Sequence, residues 1–317
     1  MDELIVFSGN AHPELARNVV EYLGIPLGKA EVFQFANENI FVRILENVRS
    51  KDVFVIQPFA SPVNQNVMEL LIMLDALKRA SAGHITAVIP YYAYGRSDRK
   101  DQPRVPITAR LVADLVTVAG ANRVMTVDLH AAQIQGFFSI PVDELTGLYL
   151  LADYFKKKPF VNNLVVVAAD IGISKRARDV AARLKAPLAI MEKNRSGNDD
   201  RSQILTVIGD VAGKVALVVD DEISTAGTLA NNVNTLIDRG ATEVYFCSTH
   251  AIFTGPATER IATSPVKEVV VTDSLPLNAN KRIGKVTVLS LAPLIGEAIR
   301  RIHTGQSVGA LFNGDKG

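Results

Sequence analysis

Two aspartates, Asp220 and Asp221, close an apolar run at 215–219 and are followed by Ser224, Thr225, Ala226, Gly227 and Thr228. An uninterrupted apolar run of this length reads as a buried parallel strand. The spacing from Leu229 to Ile237 predicts a helix. Strand, acidic tip, hydroxyl-rich loop and helix start together make a phosphate-and-sugar site. Backbone N–H groups and hydroxyls of such a loop wrap a phosphate at the helix N-terminus. The two carboxylates accept hydrogen bonds from vicinal ribose hydroxyls or hold a cation. The structural alternative is an ordinary turn, but hydroxyls at 224, 225 and 228 around one glycine exceed what a turn requires. No GxxxxGK[ST] occurs, so this is not a P-loop.

Four further segments carry chemistry. Asp128 and His130 follow the strand candidate 123–127, and with Asp143 they form a set able to gather around Mg²⁺ and a nucleotide phosphate. Mg²⁺ keeps several waters, so one or two of the three suffice. A histidine after a strand also reads as a hydrogen-bonded structural residue. The basic loop 94–104, with Arg96, Ser97 and Arg99, suits polyphosphate, because planar guanidinium groups bind it bidentately; the alternative is a solvated charged loop. Asp170, before Gly172 and after the strand candidate 164–168, either binds a cation or caps the helix that starts near Ser174. Lys193 and Arg195 alternate in the polar, Gly-containing stretch 191–201, expected to be a mobile lid or a flexible connection; in an extended segment both point the same way.

The elements that must position these residues alternate along the chain. Strand candidates are 4–7, 53–56, 85–89, 123–127, 164–168, 186–190, 215–219, 243–247, 269–271 and 286–289. Helix candidates are 14–23, 63–80, 107–119, 174–184, 228–238 and 291–301. Segments 29–35 and 40–44 flank a polar tip and predict a hairpin. Alternation of this kind means an α/β fold with mainly parallel sheets flanked by helices. Element order predicts two similar halves, 1–146 and 147–317.

The chain has 317 residues, 34 basic and 33 acidic, for a net charge of +1. That balance argues against a general nucleic-acid or membrane-surface binder. The lone Cys247 excludes an internal disulfide framework and falls in an apolar run, which makes it a core residue. The acidic start and the short apolar run behind it predict no signal peptide, and no stretch is long enough to span a bilayer, so the expected setting is cytoplasmic.

The 218–228 segment resembles the phosphoribosyl-diphosphate (PRPP) loop shared by type I phosphoribosyltransferases and PRPP synthetases. The 128–143 stretch is similar to a signature of the synthetases alone, and the motifs follow the family's order from Phe7 to Phe312. The resemblance implies two tandem type I phosphoribosyltransferase-like domains, the first on the ATP and Mg²⁺ side and the second on the ribose 5-phosphate side. It implies transfer of the β,γ-diphosphoryl group of ATP to the ribose 1-hydroxyl. It places Asp220, Asp221 and 224–228 on ribose 5-phosphate. Phe35, Asn37, Asn39, Arg96, Ser97, Arg99 and His130 fall on ATP. His130, Asp170 and Asp128 fall on Mg²⁺, and Lys193 and Arg195 on the transferring group. It further implies a homo-oligomer, a hexamer built from dimers, with an ADP or phosphate regulatory site touching Arg49, Gln135, Asp143 and Ser307.

The chain departs from the family pattern at Asn39, Ser97, Ser139 and Ser224, where the family has a glutamate, a glutamine and two further acids. Two rival readings follow: a transferase that consumes PRPP, which the 218–228 loop alone would allow, and a non-catalytic regulatory paralogue, which the substitutions motivate. The 128–143 signature and Lys193/Arg195 argue against the first. Retention of Lys193, Arg195, His130, Asp220 and Asp221 argues against the second.

Overall fold

The computed structural model describes residues 3–195 and 203–312; the side chains of 193–195 and 203–205 lie outside that description. The chain divides into two compact units. The first comprises Met1–Leu145, Ser274–Pro276 and Ser290–Gly317, and the second Thr146–Asp273 and Leu277–Leu289.

In the first unit, β1 (Leu4–Ser8), β4 (Asp52–Ile56), β5 (His84–Ile89), β6 (Arg123–Val127) and β7 (Val142–Leu145) form a wholly parallel sheet in that order. Helices α1 (Pro13–Leu23), α2 (Val63–Arg79) and α3 (Thr108–Ala119) connect the strands, and β2 (Ala30–Gln34) and β3 (Ile40–Ile44) form the predicted hairpin. One sheet face, through Phe7, Val55 and Ala87, packs with Leu70, Met73, Leu74 and Leu77 of α2 and Val112, Ala113 and Val116 of α3. The opposite face, through Val6, Phe54 and Met125, is buried too. Burial on both faces is why these strands read as continuous apolar runs.

The helix Ala292–His303 belongs to this first unit, a correction to the expected boundary, which placed all of 147–317 in the second half. It packs on α1 so closely that a Cβ on Gly296 would meet the Tyr22 ring at 2.5 Å. His303 Nδ1 lies 2.8 Å from Asp52 Oδ2 at the start of β4.

The second unit is built on α4 (Leu148–Lys156), β8 (Leu164–Ala168), α5 (Ser174–Leu184), β9 (Leu188–Arg195), β10 (Gln203–Ile208), β11 (Val215–Ile223), α6 (Gly227–Asp238), β12 (Glu243–Ala251), α7 (Ala257–Thr263), β13 (Val269–Thr272) and β14 (Val286–Leu289). Its seven-stranded sheet has the order β10-β9-β8-β11-β12-β13-β14, parallel except for the edge strand β10. The chain winds outward from β8 in one direction and from β11 in the other. Helices α4 and α5 are joined by a bidentate pair, Arg183 Nε to Asp153 Oδ1 at 2.8 Å and Nη2 to Oδ2 at 2.6 Å.

Candidate active site

Reversal of winding between β8 and β11 opens a crevice at the carboxyl ends of those strands, the place where open α/β sheets take ligands. Both flanks carry acid. Asp170 follows β8, and Asp220 and Asp221 sit on β11. The expectation that β11 stops at Val219 is corrected: the strand runs on to Ile223. Pairing with β8 ends at Val219–Ala168, while pairing with β12 continues through Asp220–Ser248 and Glu222–His250. The two aspartates therefore stand on a strand extension with only one neighbour.

Burial holds the Asp220 carboxyl well above the usual carboxylate range, reinforced by the nearby charges of Asp221 and Asp170. Three acids converging at one strand end are a donor set suited to a hard cation or to sugar hydroxyls. The alternative reading of Asp170 as a cap is present as well: its Oδ1 accepts from Ile173 N at 3.2 Å, in the turn before α5.

The loop after β11 has the geometry of an anion cradle. Ala226 is left-handed, at φ 57° and ψ 19°, and precedes the first residue of α6. No side chain caps this helix. A left-handed residue followed by helical backbone turns successive N–H groups into one concavity, and the orphan donors of the helix start add to it. A non-glycine residue held in this conformation costs of order 1–3 kcal/mol, so its surroundings must enforce it. Asn232 of α6, fully buried, donates to Ala169 O at 3.0 Å and so fastens the helix to the turn that carries Asp170. Nothing local marked Asn232 in the sequence.

In the first unit the predicted residues lie on loops at the carboxyl ends of β5 and β6 and on the hairpin tip. Gly95 packs against His130 so tightly that a Cβ would lie 3.2 Å from His130 Cβ. Gln133 donates to Asp98, a second tie between the loops. The Arg96 loop and His130 are thus brought together. Ser97 is fixed by its backbone, donating to Tyr94 O at 2.8 Å and accepting from Ala109 N at 3.2 Å, and Arg99 is exposed. Asp128 is buried, with a positive φ of 40°.

Asp143 does not join them. It lies near the amino end of β7, paired with Arg123 Nη1 at 2.5 Å, because the parallel register sets it beside Met125 rather than beside Asp128. Glu144 occupies the expected place instead: its carboxylate accepts from Leu129 N at 2.9 Å and from the Gln135 amide.

At the hairpin tip, Phe35 N donates to Asn39 O at 2.8 Å and Asn37 Oδ1 accepts from Asn39 N at 3.2 Å. Phe33, Phe35 and Phe41 form a ring cluster, and Phe35 stays 49% exposed, leaving a phenyl face for stacking. Arg49 and Ser307 lie toward the amino end of β4, where the helix Ala292–His303 meets Asp52, whereas Gln135 is at the carboxyl end of β6. Within one chain, the four predicted regulatory residues do not converge.

The stretch 191–201 is corrected in part. Residues through Arg195 belong to β9, which pairs with β10 in the register Lys193–Leu205 and Arg195–Gln203. The side chains of Lys193 and Arg195, and residues 196–201, lie outside the described residues.

A buried network that the sequence reading missed pins the carboxyl ends of β1 and β4. Glu69 of α2 accepts from Gln57 Nε2 at 2.8 Å, Asn10 N at 2.6 Å and Asn10 Nδ2 at 2.9 Å. Asn10 Nδ2 also reaches Val32 O of the hairpin at 3.1 Å. The available signal was an acid on the apolar face of α2, beside Leu70 and Met73.

Two phosphoribosyltransferase-like α/β domains are the class that this fold and crevice define. Residues 4–120 match the model of the N-terminal domain of ribose phosphate pyrophosphokinase, and residues 198–313 match the phosphoribosyl synthetase-associated domain. The chain is 54% identical to the ribose-phosphate pyrophosphokinase of Caldanaerobacter subterraneus over 98% of each chain. It is 52% identical to that of Oceanobacillus iheyensis, over 98% of this chain and 97% of that one. The phosphoribosylpyrophosphate synthetase of Mycobacterium smegmatis superposes with a TM-score of 0.90 at 44% identity, covering 96% of this chain and 99% of that one. The chain belongs to the ribose-phosphate pyrophosphokinase family. Among the described residues no helix is long and apolar enough to cross a membrane.

Proposed function

We propose that this protein is a Mg²⁺-dependent ribose-phosphate diphosphokinase of nucleotide biosynthesis, converting ATP and D-ribose 5-phosphate to PRPP and AMP. The observation that carries the reading is the crevice between β8 and β11, where an acid-bearing strand extension meets an uncapped helix behind left-handed Ala226. Family membership sets the substrates.

In this reading the 224–228 loop takes the 5-phosphate, and Asp220 and Asp221 accept from the ribose hydroxyls. Arg96 and Arg99 neutralise the ATP phosphates, Phe35 stacks on the adenine, and Asn37, Asn39 and Ser97 offer polar contacts to the nucleotide. Mg²⁺, held through His130, Asp128 or Asp170, supplies charge neutralisation on the phosphates; the carboxylates around Asp170 fit a hard, oxygen-seeking ion. The ribose 1-hydroxyl attacks the β-phosphorus, its O–P bond forms as the bond to the α-phosphate oxygen breaks, and AMP leaves. Lys193 and Arg195 neutralise charge that develops on the transferring group. Catalysis then rests on positioning and electrostatics, as in other phosphoryl transfers. A cytoplasmic homohexamer of dimers, with ADP or phosphate acting through Arg49, Gln135, Asp143 and Ser307 contributed by different subunits, completes the proposal.

Incubation with ATP, ribose 5-phosphate and Mg²⁺, followed by ³¹P NMR, tests the reaction. Equal amounts of AMP and PRPP support it. ADP in place of AMP would refute attack at the β-phosphorus. No turnover by folded protein, with or without added phosphate, would favour the regulatory paralogue. Light scattering with and without ADP and phosphate tests the assembly.

A further inference from the structure

The 224–228 loop contains no cationic side chain of its own. A guanidinium is nevertheless built against it. Arg260, on α7, donates from Nη1 to Thr225 O at 3.0 Å. The same nitrogen lies 3.4 Å from where a Cβ on Gly227 would stand. The segment leading into α7 grips the loop as well. Thr254 N donates to Ser224 O at 2.9 Å, and the Ser224 and Thr254 hydroxyls are 3.0 Å apart. Arg260 has no carboxylate partner among the described residues, and it is exposed, so its remaining N–H groups face solvent.

We propose that Arg260 is a positioning residue for the phosphate-binding loop: by holding the Thr225 carbonyl it aims the next peptide N–H into the anion cradle. In a trans peptide the C=O of one residue and the N–H of the next point in opposite directions. The Thr225 carbonyl turned toward Arg260 therefore turns Ala226 N–H the other way. This contact sits directly before the left-handed Ala226, whose strained conformation needs an external tie. The guanidinium also supplies the positive charge that the loop lacks. The ligand recognised is a phosphate monoester, and the identification of that ester as ribose 5-phosphate rests on the function proposed above.

The test compares the full-length protein with Arg260→Ala, Arg260→Lys and Arg260→Gln by calorimetry with ribose 5-phosphate and by steady-state kinetics. Losing the brace weakens ribose 5-phosphate binding in Arg260→Ala about 10- to 100-fold, the scale of a charge-assisted hydrogen bond. The KM for ATP stays within about twofold, since binding is lost only where the contact is made. Arg260→Lys keeps the charge and recovers part of the affinity. Arg260→Gln keeps a neutral donor and recovers less. Guanidinium ion at millimolar concentration restores binding to Arg260→Ala and leaves native protein unchanged.

Unchanged ribose 5-phosphate affinity in folded Arg260→Ala overturns the proposal, as does an equal loss of affinity for both substrates. If Arg260→Ala fails to fold, the Lys and Gln variants decide it: both must bind ribose 5-phosphate more weakly than native protein, and native affinity in both overturns it. Failure of native protein to take ribose 5-phosphate at all would sink the proposed function instead. The same variants titrated with inorganic phosphate then decide the brace, and equal affinity across them overturns it.

Discussion

The two units wind differently, and the difference separates structural acid from functional acid. In the first, strands are added in one direction, β1-β4-β5-β6-β7, so no reversal opens a crevice. One of its buried acids, Glu69, accepts three hydrogen bonds and is spent on holding β1, β4 and the hairpin in place. In the second unit, winding reverses between β8 and β11, and Asp170, Asp220 and Asp221 converge there. One carboxylate is surrounded by donors and stabilises the fold. The others crowd one another, and their charges raise the cost of keeping Asp220 ionised. Topology thus indicates which acids to assign to substrate.

The comparison can be broken in several places. The largest effect is expected at Lys193, on the strand that leaves the second unit's crevice side. Lys193→Ala lowers kcat about 10²- to 10³-fold, the scale of losing one oxyanion-hole donor, with thermal stability unchanged. Single-turnover kinetics beside a thermal melt measures both, and a kcat within threefold of native would remove Lys193 from the transition state.

In the first unit, Glu69→Ala strands three donors and costs about 3 kcal/mol of stability. A urea titration reads this loss. A loss below about 1 kcal/mol would mean that water replaces the carboxylate easily.

Asp220→Asn gives the opposite sign. It removes a crowded charge, so the ligand-free protein gains about 0.5–2 kcal/mol, the usual scale where a site trades stability for function. Ribose 5-phosphate binding is lost at the same time. If Asp220→Asn melts below native protein without ligand, Asp220 is structural like Glu69, and the contrast between the units fails.

The smallest effect is at Asp153. Its hydrogen bonds to Arg183 hold its carboxyl below the ordinary 3.8. A depressed carboxylate contributes stability above its unfolded value and loses it as pH falls through the folded value. Asp153→Asn therefore costs about 0.5 kcal/mol at neutral pH, an exposed ion pair being screened, and this difference from native fades below about pH 4. Melts across pH 2.5–7 check the sign; a difference that grew on acidification would refute it.

Much of the site was legible because its signals are local. An apolar run closed by Asp220 and Asp221, then a hydroxyl-rich loop and a helix pattern, is contiguous in the chain. Other features depend on register. The 128–143 stretch groups Asp143 with Asp128 by residue type, yet pairing of β6 with β7 sends it to Arg123. Lys193 and Arg195 read as loop because of their polarity, yet they lie on β9 beyond its pairing with β8, where β10 is the only neighbour and polar residues are tolerated. The helix Ala292–His303 followed the second half in sequence but packs on α1, a contact set by shape at Gly296 and Tyr22.

The sequence by itself determined the alternation of strands and helices, the residue types offered to phosphate and sugar, and the acids that follow the apolar run of β11, because periodicity and loop chemistry are written within a few residues. Only the tertiary structure decided the order of strands, and with it which acids crowd an open crevice and which are quenched by distant donors. Asn10 and Glu69 are 59 residues apart, and Thr225 and Arg260 are 35 apart. No local pattern links such partners; what joins them is the packing of helices on both faces of each sheet, which must bury the strands and so fixes where each helix side chain lands.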